Sequence, residues 1–170
     1  VNKMGERKQE KRVNPNQKAP INNAIETDDQ LFYRGLSGGA NSGVMVPANQ
    51  LLPMKRALAA LDARLRNEYP DGVDQFVRTQ LGYESDEVMH KHLYGYQVDG
   101  VALQLDAMMN GKAFIIGDDT GVGKGRQAAA QVAWAVKNNL IPIFMTAQDN
   151  LYSDLYRDLK GIGFDNPEWI

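Results

Sequence analysis

The chain has 170 residues, a formal net charge of -2 and a sequence pI of about 5.7. This excludes a protein held on nucleic acid by overall basicity, so any such contact must come from a local patch. The lack of cysteine excludes disulfide frameworks, cysteine-based zinc sites and thiol catalysis.

Hydrophobic residues make up 43% of the chain, enough for one domain with flanking segments, yet no apolar run approaches the roughly 18 residues of a transmembrane helix. Val1 to Lys18 holds no signal-peptide core. A soluble, cytoplasmic chain with no membrane partner is expected. A start at Val1 and a stop at Trp169-Ile170, soon after a helical pattern, suggest a piece of a larger protein.

Residues 1–50 form an extended, loop-rich arm. In its first part Lys3, Arg7, Lys8, Lys11, Arg12 and Lys18 outnumber Glu6 and Glu10. Such a run is either a solvated linker or a contact with nucleic acid or another protein, such as a virion wall. Gly35, Gly38, Gly39 and Gly43 mark an irregular loop without the spacing of a dinucleotide-binding turn.

Residues 51–95 form a helical segment. Met54, Leu58, Leu61 and Leu65 recur at helical spacing, with Pro53 suited to a first turn. Gly72 to Leu81 predicts a second helix that buries Phe76 and Val77 and stops at Gly82. Ser85, followed by Asp86 and Glu87, predicts a capped third helix with Val88, Met89 and Leu93 on its apolar face. His90 and His92 do not share a helical face, so no metal site is expected there.

From Tyr96 onward the pattern alternates. Val98, Val101, Ala102, Leu105 and Met108 predict a helix ending at Asn110-Gly111. Ala113 to Ile116 reads as a buried strand, Ala128 to Val136 as a helix, Ile141 to Met145 as a second strand, and Leu151, Leu155 and Leu159 as a last helix. This predicts an α/β fold with a parallel sheet flanked by helices.

The joint between the first strand and the next helix carries the chemistry. It reads Gly117-Asp118-Asp119-Thr120-Gly121-Val122-Gly123-Lys124-Gly125-Arg126. Gly121 and Gly123 let the backbone curl so that its N–H groups and the helix N-terminus face phosphate oxygens. Lys124 adds a cation for the β- and γ-phosphates and is the candidate catalytic residue. Asp118 stands where the first glycine of the usual loop belongs, and Gly125 replaces the Ser or Thr whose hydroxyl normally ligates Mg²⁺. No metal ligand is assigned. A water, or acids outside this segment, would fill that role.

With Tyr96-Gln97, this loop, Pro142-Ile143-Phe144 and Asp154 to Leu159, the chain resembles the strawberry-notch type of helicase-like P-loop ATPase, over about residues 93–165. Val46 to Arg66 is also similar to the region upstream in very large bacteriophage proteins of this type, some described as antirestriction proteins carried in the virion. The resemblance implies that residues 96–170 are the first, incomplete part of a RecA-like helicase lobe. It also implies ATP and Mg²⁺ as cofactors, double-stranded DNA as partner, and a virion interior and host cytoplasm if the source is a phage.

In that reading the loop from Asp118 to Arg126 binds ATP, Gln97 reads adenine and Thr146 touches the nucleic-acid backbone. The alternatives are an exposed polar residue for Gln97, a helix cap for Thr146, and an ion pair within its own helix for Arg126. The full protein would be an ATPase or helicase, and this segment alone would be inactive. A structural or virion-packaged protein anchored by this segment is the rival; a small-molecule kinase fits Gln97 and Thr146 less well.

Overall fold

The computed structural model describes residues 26–41, 43–118 and 121–164. The basic run from Lys3 to Lys18 and the loop residues Asp119 and Thr120 lie outside the described residues.

Part of the expected arm is a hairpin. β1 (Gln30–Phe32) pairs antiparallel with β2 (Met45–Pro47), Leu31 facing Val46 across the ladder. The glycine-containing segment between the strands is an irregular loop, as its composition predicts, and it is fastened to the helical body by Asp99. That carboxylate accepts from the Tyr33 hydroxyl at 2.6 Å and from the amides of Leu36 and Ser37 at 3.0 Å.

Six helices follow. α1 (Ala48–Leu65) buries Leu51, Leu58, Leu61 and Leu65 along one stripe. It begins ahead of Leu51, so Pro53 falls in its second turn rather than its first, where the missing N–H removes one ladder bond. α2 (Val73–Leu81) buries Val73, Phe76 and Val77 and ends at Gly82, whose φ of +80° suits a residue without a Cβ. α3 (Asp86–His92) is capped by the Ser85 hydroxyl, which accepts from the Val88 amide at 3.3 Å.

α4 (Gly95–Met109), α5 (Lys124–Lys137) and α6 (Asn150–Gly161) complete the body. Phe76 and Val77 of α2, Met89 of α3, Val101 and Leu105 of α4, Ala129 and Trp134 of α5, and Leu155 and Leu159 of α6 share one core. Each large side chain buried there contributes roughly 1.5–3 kcal/mol. The alanines of α5 keep that helix close to its neighbours. No described helix is long and apolar enough to cross a membrane.

The two expected strands of a parallel sheet are not paired. Residues 113–116 and 141–145 form no ladder, and the β1–β2 hairpin is the sheet found among the described residues. Ile115 is 88% exposed, and Ile141, Ile143 and Met145 are 91%, 83% and 85% exposed. Exposure alternates along 141–146, with Pro142, Phe144 and Thr146 turned inward. The second run thus keeps the period of a strand. A strand assignment also needs a neighbouring backbone at about 4.8 Å, and none of the described segments supplies one.

Candidate functional site

The first apolar run ends at Gly117, and α5 begins at Lys124. Between them Gly121 has φ +92° and Gly123 has φ +80°, in the left-handed region where a side chain costs about 1–2 kcal/mol. Gly123 is the N-cap of α5, and its carbonyl accepts from the Arg126 amide at 3.0 Å. The sequence therefore bends at its glycines and delivers the N-terminus of a helix to one spot, which suits an anion.

Lys124 folds back over this turn, its Nζ donating to the Asp118 carbonyl at 2.6 Å. The Asp118 carboxylate accepts from Gln127 Nε2 at 2.6 Å. Gln104 Nε2 donates in turn to Gln127 Oε1 at 2.6 Å, and Gln131 Nε2 donates to Gln104 Oε1. Gln104 and Gln127 are buried, so their amides must find protein partners. The result is a glutamine ladder from α4 and α5 whose donors all point toward Asp118, each bond polarising the next.

Gln97, an adenine reader by resemblance, is 2% exposed rather than a surface residue. Its Oε1 accepts from the Tyr94 amide at 3.0 Å, and its Nε2 donates to the Val122 carbonyl at 3.3 Å. A Cβ on Gly123 would overlap that Nε2. Gln97 thus clasps the start of α4 to the loop, its Nε2 also reaching the Gly123 carbonyl at 3.5 Å, while one lone pair of its Oε1 remains.

The structure brings Gln97, Asp118, Gly121, Val122, Gly123, Lys124 and Gly125 together and sets two other candidates apart. Arg126 neither faces the loop nor pairs within its helix: its guanidinium donates to the His92 carbonyl at 2.7 Å. The Thr146 hydroxyl accepts from the Gln148 amide at 3.3 Å and closes a local turn ahead of α6 instead of capping its first turn. His92 stacks on Tyr83 with its Nδ1 2.9 Å from the Gly161 carbonyl, and His90 lies 3.4 Å from Asp74. No cluster of three His, Asp or Glu residues suited to a metal occurs among the described residues.

The sequence reading gives Asp158, an acid of the last helix, no place at the loop, since it follows no apolar strand. α6 lies along α5 and brings this carboxylate to Gly125, where an added Cβ would overlap Oδ2 and lie 3.1 Å from Cγ. Asp158 is partly buried, and burial pushes its pKa above the ordinary carboxylate value against the pull of Arg157 and Arg126. The only signal in the sequence was glycine at position 125, where a hydroxyl is usual.

A family model for the P-loop containing NTP hydrolase pore-1 domain matches residues 40–169, well over half of the chain. The chain belongs to this family. Its match begins in the loop between β1 and β2 and takes in β2, the six described helices and the phosphate-type loop, while β1 lies ahead of it. No curated protein and no solved structure matches the chain.

Proposed function

We propose that the chain binds ATP with Mg²⁺ on the loop from Asp118 to Gly125 and serves as the nucleotide-binding front of a helicase- or translocase-like motor. One observation carries the reading: two left-handed glycines deliver a helix N-terminus and Lys124 to a single turn. A cavity of about 490 Å³ adjoins that turn, walled by Tyr33, Met45, Tyr96, Leu103 and Phe114. Its size is that of a small-molecule site.

The finer reading follows the strawberry-notch resemblance. Residues 113–116 and 141–145 would be the first two strands of a RecA-like parallel sheet, and their exposed Ile115, Ile141, Ile143 and Met145 would lie under further strands and helices. Gln97 would share its Nε2 between the loop carbonyls and adenine N7 and offer the open lone pair of Oε1 to N6, and Thr146 would meet the backbone of double-stranded DNA. Mg²⁺, when bound, would neutralise charge on the β- and γ-phosphates.

A titration of a fluorescent ATP analogue into the purified chain, with and without Mg²⁺, tests the reading. Saturable binding competed by ATP is expected. No binding in either buffer would refute it.

A further inference from the structure

Position 125 is the second residue of α5, where the usual loop places a hydroxyl on the metal. Here the glycine is not required by the backbone, which is helical. It is required by space, because the Asp158 carboxylate from α6 fills the volume of a residue-125 side chain. Leu155 and Leu159, both buried in the core, fix the turn of α6 that carries Asp158.

The oxygen so placed is open to a ligand. Asp158 Oδ2 accepts no hydrogen bond from a described residue, and Oδ1 has one long contact, 3.5 Å from Arg157. A carboxylate beside a bound triphosphate repels it unless a cation lies between them. Mg²⁺ takes hard oxygens at about 2.0–2.1 Å and in nucleotide sites is held by one or two carboxylates with the phosphates, so a three-residue cage is not needed.

Given nucleotide binding on the loop, we propose that Asp158 supplies the protein oxygen for the Mg²⁺ of bound ATP, replacing from α6 the hydroxyl that position 125 lacks. The metal site is then shared between two helices, and Gly125 is the residue that admits the replacement.

The test measures affinity for the fluorescent ATP analogue, in EDTA and in saturating Mg²⁺, for the whole chain and two variants. Asp158→Asn should bind at least as tightly as the wild type in EDTA, where no cation screens the carboxylate from the triphosphate, and should lose about tenfold or more of the gain that Mg²⁺ gives the wild type. The exchange Asp158→Ala with Gly125→Ser should regain much of it, because the hydroxyl then fits where the carboxylate was. Direct Mn²⁺ titration of the nucleotide complexes, read by the electron paramagnetic resonance of free Mn²⁺, should rank the three proteins in the same order.

An unchanged Mg²⁺ gain in Asp158→Asn would overturn the proposal. So would tighter EDTA binding with the same gain, which would make Asp158 a plug at the helix N-terminus. An exchanged protein with intact helix content that recovers nothing would overturn the placement. Failure of the wild type to bind nucleotide in either buffer would instead remove the parent reading.

Discussion

The side-chain amide of Gln97 donates to the Val122 carbonyl at 3.3 Å, which ties the first turn of α4 to the turn that precedes Lys124. The clasp has two consequences for ligand binding. It holds the loop in its curled form before any phosphate arrives, and it puts the amide that would read a base on the loop that would hold the phosphates.

Gln97→Ala should therefore weaken ATP and GTP together and also narrow the preference between them. Removing the clasp loosens the loop for any triphosphate, whereas losing a base-reading amide removes discrimination. Competition of ATP and GTP against the fluorescent analogue separates the two effects. An equal loss for both nucleotides, with the ratio unchanged, would leave Gln97 as a clasp alone.

Lys124→Ala should cost about tenfold to hundredfold in ATP affinity, as charge-assisted bonds to phosphate contribute roughly 1.5–3 kcal/mol. In the structure Lys124 Nζ bonds the Asp118 carbonyl at an exposed position, so helix content and melting temperature should hold. Circular dichroism and the ATP titration check both halves. Equal affinity in the two proteins would show that the loop is a structural turn.

Two glycines with similar backbones should respond differently to substitution. Gly111 has φ +66° with open space where a Cβ would go, so Gly111→Ala should cost only strain, about 1–2 kcal/mol. Gly123 has φ +80° and would drive its Cβ into Gln97, so Gly123→Ala should add loss of the clasp and of nucleotide affinity to the same strain. Urea unfolding and ATP titration of both variants check this. A nucleotide affinity unaffected by Gly123→Ala would mean that the turn tolerates repacking.

What the sequence made legible was local chemistry. The Ser85 cap, the Gly82 stop and the glycine-lysine turn each depend on a few neighbouring residues, and each stands where its residue type demands. Pairing was not legible. The apolar runs at 113–116 and 141–145 have a strand's composition, but a ladder depends on backbone elsewhere in the chain, and period alone does not supply it. The glutamine ladder was hidden for a related reason: Gln104, Gln127 and Gln131 look like surface polar residues until α4 and α5 pack together. Asp158 lay thirty-odd residues from the loop, which is roughly the length of one helix–strand–helix excursion, and only the packing of α6 on α5 brings it to Gly125.

Asp99 supplies the last expectation, a dependence of stability on pH. Its carboxylate is buried and accepts from Tyr33, Leu36 and Ser37. Burial outweighs these donors and raises its pKa above the ordinary value, with Asp74 nearby acting in the same direction. Tyr33 is raised as well, chiefly by burial, so its hydroxyl stays protonated and keeps donating. The folded chain thus holds a proton on Asp99 more tightly than the unfolded chain does. The stability that this proton confers is fully present below the unfolded pKa of roughly 4 and is lost as pH rises through the higher folded pKa. Asp99→Asn has no such titration, but its NH₂ group replaces an oxygen that accepts buried donors, at a cost of about 1–3 kcal/mol. Urea unfolding of both proteins between about pH 4 and pH 7 should show the variant less stable throughout. The gap should narrow as pH rises just above the ordinary carboxylate range, since only the wild type acquires a buried charge there. Asp158, raised in the same direction, titrates in both proteins and cancels from the difference. A gap that widens with pH would mean that the three hydrogen bonds outweigh burial and that the charged form of Asp99 is the one the fold stabilises.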